Sequence, residues 1–90
     1  TQLLFATFGE QELLYALGWA KALREQGVSV EVYPEPTKMK KQMGYADSKK
    51  IPFVAIVGGD EMAAGKVMLK NMLSGEQQLV SLEECLKQLA

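Results

Sequence analysis

Lysine side chains are concentrated in one short stretch of this 90-residue chain. Residues 38–50 hold five of the ten Lys and Arg residues and a single acid, Asp47. Ammonium groups that cluster on one surface attract phosphates and speed encounter with a polyanion. On composition and clustering alone, a solvated helix face and a phosphate-binding face are equally good interpretations of this stretch.

The net charge of −1 conceals an uneven distribution. Between residues 38 and 70 there are seven lysines and three carboxylates, whereas the rest of the chain carries three positive and eight negative side chains. The local potential matters more than the total charge when a polyanion is bound. A slightly acidic chain with one basic region is therefore compatible with a nucleic-acid binder.

Other kinds of chemistry find little support. The chain has no histidine, which removes the commonest general base and the commonest neutral metal ligand. Cys85 is the only cysteine, so no internal disulfide can form and a zinc site is implausible. We interpret Asp60-Glu61 as a solvated loop and Gly58-Gly59 as a plain turn, because the phosphate-loop pattern is absent. We expect no catalytic residue and no metal site, and an independent enzyme is the weakest interpretation.

The length and composition of the chain predict one folded domain over residues 1–90. No apolar run approaches the roughly 20 residues that a membrane span requires. The N-terminus lacks the pattern of a secretory signal. The chain begins at Thr1 with a core-like strand almost at once, so we expect a fragment of a longer protein.

Alternating strand and helix patterns predict a parallel sheet. The runs over residues 3–8, 28–33 and 52–57 are typical of strands, and residues 10–26 and 38–49 show helical spacing of apolar side chains. Right-handed crossovers in this order make the three strands parallel.

Helical spacing also assigns buried positions. The apolar face of the first helix comprises Leu13, Ala16, Leu17, Ala20 and Leu23. Thr37 is predicted to cap the second helix. The inward side chains of this second helix are then Met39, Met43 and Ala46. The side chains left free to meet a ligand include Lys38, Lys41 and Tyr45.

The pattern changes after Gly65. Residues 66–72 and 77–80 are strand-like, with Ser74-Gly75 between them, so we predict a hairpin at one edge of the sheet. Ser81 and Glu84 form a capping box at the start of the last helix.

Ligands of open α/β sheets bind outside the carboxyl ends of the parallel strands. Here those ends are residues 7–10, 33–37 and 58–61, which we call the carboxyl edge. The predicted basic helix begins directly after the second of them, so its N-terminal dipole and Lys38 lie at the same edge. The sequence therefore predicts a binding site there.

Residues 38–47 (KMKKQMGYAD) and 51–61 (IPFVAIVGGDE) resemble the C-terminal anticodon-binding domain of histidyl-tRNA synthetase. Residues 64–72 and 74–78 resemble the strand pair and turn of that family, and Phe8-Gly9-Glu10 resembles the end of its first strand. The resemblance covers essentially the whole chain in order. The Lys-Gln-Met-x-Tyr-Ala-Asp run is fairly specific to the histidyl branch. The glycyl, threonyl and prolyl enzymes share the wider fold, so the anticodon-binding domain of a synthetase of that type is the alternative.

The resemblance implies an α/β fold in three layers. Its sheet is five-stranded and mixed, with three parallel strands plus an edge hairpin and helices on both faces. The implied partner is the anticodon loop of tRNA-His, and the resemblance implies binding to neither DNA nor a membrane. It also implies a cytoplasmic protein whose full-length form is a homodimer. The catalytic core that uses ATP and Mg²⁺ would precede this segment, so we expect no cofactor in the chain itself.

Site residues follow partly from the resemblance and partly from the carboxyl edge. In the threonyl relative, a glutamate after the third strand and a basic residue in the fourth approach the anticodon bases, and Glu61 and Lys70 match those places. Aromatic rings can stack on loop bases and lysines can hold phosphates. The predicted RNA-binding residues are Phe8, Glu35, Lys38, Lys41, Tyr45, Glu61, Lys66 and Lys70.

Two further interpretations stay open. One is a small-molecule-binding or protein-interaction α/β domain whose lysines are only solvated. The other is a stand-alone paralogue that has lost tRNA binding. A net acidic module is also expected to bind an isolated anticodon weakly.

Overall fold

The structure, a computed structural model, describes residues 1–89. Ala90, the last residue of the predicted 1–90 domain, lies outside the described residues. The strands are β1 (Leu3–Thr7), β2 (Val30–Val32), β3 (Phe53–Val57), β4 (Val67–Asn71) and β5 (Gln77–Val80). The helices are α1 (Glu10–Glu25), α2 (Met39–Ser48), α3 (Gly59–Ala64) and α4 (Leu82–Leu89).

The five strands form one sheet in the order β2-β1-β3-β4-β5. β1 is parallel to β2 and β3, whereas β4 and β5 form an antiparallel hairpin beside β3. The predicted fold class, three parallel strands plus an edge hairpin with helices on both faces, is confirmed. Because β4 runs against β3, its first residues lie at the carboxyl edge, and Lys66 joins that edge.

Each face of the sheet packs against different helices. Successive side chains of a strand point to opposite faces. Leu3 and Phe5 of β1 pack with α1 and α4, while Leu4 and Ala6 pack with α2. All four side chains are fully buried, which gives the strand its uninterrupted apolar sequence.

Helix α1 matches its prediction apart from one side chain. Gly27 follows the helix with a positive φ of 87°, which glycine adopts without strain. Leu17 was predicted to face inward but is 46% exposed. Ala16, Ala20 and Leu23 are buried as predicted, and Trp19 packs edge-on against Phe5 with ring centroids 6.4 Å apart.

Two predictions about helix ends are wrong. Asp60-Glu61 lies in helix α3 rather than in a loop, and six residues are too few to show helical spacing in the sequence. The Glu61 carboxylate accepts a hydrogen bond from the Gly58 N–H at 2.8 Å, so it satisfies one free donor at the start of α3. Thr37 does not cap α2: Lys38 occupies the cap position, and the buried Thr37 hydroxyl has no hydrogen-bond partner within residues 1–89.

Helix α4 begins as the sequence predicts. The Ser81 N–H donates to Glu84 at 2.9 Å and the Glu84 N–H donates to the Ser81 hydroxyl at 3.3 Å, which completes the capping box. These bonds with Ser81 lower the pKa of Glu84. Cys85 is buried, and burial raises its thiol pKa to about 11, so the thiol is protonated at neutral pH.

Candidate nucleic-acid interface

One area of the sheet is not covered by a helix. Among the described residues, helix α2 packs over β1 and shares a core cluster with Val54 of β3, while the side chains that point the same way from the end of β3 and from β4 and β5 lie beside it without a helix above them. We call the surface formed by Ile56, Met68, Lys70 and Leu79 the open sheet face. Leu79 is 44% exposed, and the other three are half-buried. The open sheet face therefore combines apolar area with one ammonium group.

The carboxyl edge brings three of the predicted residues together where β1 and β3 end. Phe8 is 57% exposed, and its ring lies against Gly58. The Lys66 N–H donates to the Glu61 carbonyl at 3.0 Å, which places both residues between β3 and β4. An exposed ring, a carboxylate and an ammonium group thus adjoin the open sheet face.

Glu35 and Lys38 occupy the loop between β2 and α2 at the same edge. Both side chains are exposed. The Thr37 N–H donates to the Glu35 carbonyl at 2.8 Å, which folds the loop tightly before the helix starts. Lys38 therefore stands at the N-terminus of α2, where it can meet a phosphate together with the free N–H groups of the helix.

Tyr45 was predicted to be free on α2, and that placement is wrong. Its hydroxyl donates to Glu31 of β2 at 2.9 Å, and its ring centroid lies 5.3 Å from that of Tyr33. Hydrogen bonds from Thr1 and Tyr45 lower the pKa of Glu31, and the bond to Glu31 raises the pKa of Tyr45. Tyr45 is thus committed to the contact between α2 and β2.

Tyr45 also fixes which way the lysines of α2 point. Lys41 lies one helical turn before Tyr45 and shares its flank, which faces β2. Asp47 lies on the other flank, where it lines a hollow together with Met72 at the end of β4. Lys40, two turns before Asp47, lies on that second flank, which is the one nearer to β3 and β4. The sequence prediction omitted Lys40, because helical spacing alone does not show which flank faces which strand.

Gln42 is a second residue that the sequence prediction missed. Its side chain is fully buried between β1 and the start of α2. Its Oε1 accepts from the Thr7 N–H at 2.9 Å, and its Nε2 donates to the Thr7 carbonyl at 2.8 Å and to the Thr37 carbonyl at 2.9 Å. The available signal was a polar residue amid the inward positions Met39, Met43 and Ala46.

Neighbouring glycines at the carboxyl edge provide a test of its packing. A Cβ at Gly58 would lie 2.9 Å from Glu61 Oε1 and 3.2 Å from the Phe8 ring, whereas one at Gly59 would meet nothing within 4 Å. We expect Gly58→Ala to lower the free energy of unfolding by about 1–2 kcal/mol. Gly59→Ala is expected to raise it slightly, since alanine favours a helix by roughly 0.5–1 kcal/mol. Urea denaturation measures both, and equal effects would contradict the close packing.

Neither a group of metal-ligating side chains nor a membrane-spanning helix is found among the described residues. Within residues 1–89, no three His, Cys, Asp or Glu side chains are grouped closely enough to hold a metal ion. None of the helices in that range has the length and apolar character needed to cross a bilayer.

Comparison with known proteins agrees with this geometry. Histidine–tRNA ligase from Phocaeicola vulgatus is 57% identical over 86 residues, which cover 96% of this chain and 19% of the relative. The same ligase from Bacteroides fragilis is 58% identical over 84 residues, which cover 93% of this chain and 18% of the relative. The chain thus spans about a fifth of the length of the curated relatives it matches.

Solved structures and a family model complete the comparison. Histidyl-tRNA synthetase from Nostoc superposes with a TM-score of 0.91 at 32% identity, covering 98% of this chain and 21% of that one. The RNA-binding domain of threonyl-tRNA synthetase from Cryptosporidium parvum superposes with a TM-score of 0.91 over 98% of this chain and 22% of that one, but at 18% identity it shows the fold alone. Residues 2–90 match the model of the anticodon binding domain. This chain belongs to the anticodon-binding domain family.

Proposed function

We propose that this chain is the anticodon-binding domain of a histidine–tRNA ligase and that it binds the anticodon loop of tRNA-His. The observation that carries the proposal is its identity of more than half with histidine–tRNA ligases over nearly its whole length. The exposed aromatic and basic residues of the carboxyl edge supply matching chemistry. In the ligase, this binding would position the tRNA for aminoacylation.

The catalytic step would belong to the part of the ligase that lies outside this chain. The relatives are about five times longer than the matched segment, which leaves room for a catalytic core. That core would bind ATP and Mg²⁺ and carry out the chemistry, so the chain alone would be non-catalytic. The full ligase would act as a homodimer in the cytoplasm.

Anticodon loops suit this surface because their bases can unstack. Single-stranded RNA bases stack on aromatic rings and hydrogen-bond along their edges. Phe8 offers the exposed ring, and the second carboxylate oxygen of Glu61 can accept from a base amino group. Lys66 and Lys70 can hold phosphates on either side of such a base. The open sheet face gives the unstacked bases apolar area.

Binding of a tRNA-His anticodon stem-loop tests the proposal. We expect weak binding whose affinity falls by about tenfold between 50 and 200 mM salt, because each phosphate contact on single-stranded RNA contributes about 0.7 to the logarithmic slope and two or three lysines take part. Fluorescence anisotropy with a labelled stem-loop measures both the affinity and the slope.

Two further RNAs make the test specific. A stem-loop with a scrambled anticodon reports sequence-independent binding, and a tRNA-Thr stem-loop separates the histidyl assignment from the threonyl type, which shares the fold. Preference for tRNA-His supports the proposal. Equal affinity for all three loops would overturn the claim of anticodon recognition, and preference for tRNA-Thr would overturn the histidyl assignment.

A further inference from the structure

The buried amide of Gln42 joins two loops of the carboxyl edge. One loop begins at Thr7, which directly precedes the exposed ring of Phe8. The other contains Thr37, which directly precedes Lys38. Three hydrogen bonds of 2.8 to 2.9 Å from one side chain reach both loops. One buried side chain therefore connects the loop that carries Phe8 to the loop that carries Lys38.

The amide takes the place of a missing strand partner. The last bond of the β1–β2 ladder runs from the Tyr33 N–H to the Phe5 carbonyl at 3.0 Å. The next bonds of the ladder would join Thr7 to the Tyr33 carbonyl and the Glu35 N–H, but β2 ends at Val32 and the chain bends at Pro34 and Glu35, so Thr7 has no strand partner on that side. Gln42 satisfies both backbone groups of Thr7 in place of that strand. The spacing of the two loops thus depends on a side chain where strands usually set it.

The threonine side chains do not strengthen this link. The hydroxyls of Thr7 and Thr37 are buried, and neither has a hydrogen-bond partner among the described residues. The hydrogen-bonded side-chain connection between the two loops is therefore the amide of Gln42. Loss of that amide frees the loops to move relative to each other while the two core clusters of the sheet remain packed.

We propose that Gln42 is a positioning residue for anticodon-loop binding, which sets the distance between Phe8 on one loop and Glu35 and Lys38 on the other. The inference rests on the function proposed above. Recognition of a splayed loop needs a stacking ring and phosphate contacts at fixed separation, and such groups must be held to about 0.5 Å. Gln42 supplies that constraint from the interior.

The substitution Gln42→Glu makes the hydrogen bonds between the two loops depend on pH. An ionised glutamate can accept from the Thr7 N–H, but it repels the carbonyls of Thr7 and Thr37. A protonated glutamic acid can donate to one of them. Burial and facing carbonyl oxygens raise the pKa of a carboxyl group above its usual value of about 4.3. The charged side chains within seven residues of Gln42 along the chain are all exposed: Glu35, Lys38, Lys40, Lys41, Asp47 and Lys49.

The expected result is an affinity for the tRNA-His stem-loop that recovers on acidification. At about pH 8 the folded Gln42→Glu variant should bind about tenfold more weakly than wild type, and at about pH 5.5 within about threefold of it. Wild type should change little over this range because the chain has no histidine. Gln26→Glu, the same charge change at an exposed site at the far end of α1, should follow wild type.

Affinities are expressed per folded molecule, with the folded fraction taken from Trp19 fluorescence. Gln42→Asn serves as a second, uncharged variant whose amide is one methylene too short to reach both loops, and it should bind about tenfold more weakly at every pH. If both variants bind as wild type once folding is corrected, the positioning role is overturned and Gln42 is purely structural. If wild type itself does not bind the stem-loop, the proposed function fails, and the positioning role fails with it.

Discussion

Replacing Gln42 with leucine is expected to lower the free energy of unfolding by about 3 kcal/mol. Leucine fills much of the same volume but leaves the N–H and carbonyl of Thr7 and the carbonyl of Thr37 without partners. Each buried backbone group that loses its hydrogen bond costs about 1–3 kcal/mol, and the apolar side chain offsets part of the sum. In a chain of this size the melting temperature should fall by roughly 15 °C.

Thermal and urea denaturation measure the loss, with Gln26→Leu as the matched control. Gln26 is exposed at the end of α1, so its replacement should change the free energy of unfolding by no more than about 0.5 kcal/mol. A loss below about 1 kcal/mol for Gln42→Leu would contradict the reading of the amide as a substitute strand partner. It would mean that the loops find other hydrogen bonds when the amide is removed.

The strands and the long helices could be predicted because their patterns are local. The β1 run is apolar because both of its faces are covered, and the Ser81–Glu84 capping box lies within four residues of sequence. Helical spacing correctly assigned Met39, Met43 and Ala46 to the inward side of α2. These features depend on the spacing of apolar residues and on the capping residues at helix ends, both of which are visible in the sequence.

The features that the sequence did not reveal depend on contacts between distant residues. The sequence pattern predicts that the Tyr45 ring is free. In the structure, the parallel pairing of β1 and β2 places Glu31, fourteen residues earlier, beside it. Gln42 stands among the inward positions of α2, but its hydrogen-bonding role follows only from the end of β2 at Val32, which leaves Thr7 without a strand partner on that side. The contact of Tyr45 with β2 then shows which flank of α2 is nearer to the open sheet face. The spacing of apolar residues alone does not show this.

The orientation of α2 makes Lys40→Glu the second substitution with a large expected effect. Lys40 lies on the flank of α2 nearer to the open sheet face, so a glutamate there should remove one phosphate contact and add repulsion, which would weaken tRNA-His stem-loop binding by about tenfold. The logarithmic salt slope should also fall by about 0.7. Lys41→Glu, on the flank that faces β2, should weaken binding by no more than about twofold.

Lys40→Glu and Lys41→Glu are matched in exposure, charge change and position in the helix, and they differ in the flank of α2 from which the side chain projects. Both lysines are exposed in the first turn of α2, and both changes alter the net charge equally, so long-range repulsion of RNA is the same. Glutamate near a helix N-terminus is favourable by about 0.3–1 kcal/mol, so neither variant should lose stability. A difference in affinity therefore reports where the RNA lies. A larger loss for Lys41→Glu would place the RNA on the β2 side of the helix, and no loss for either would leave Lys66 and Lys70 as the phosphate contacts.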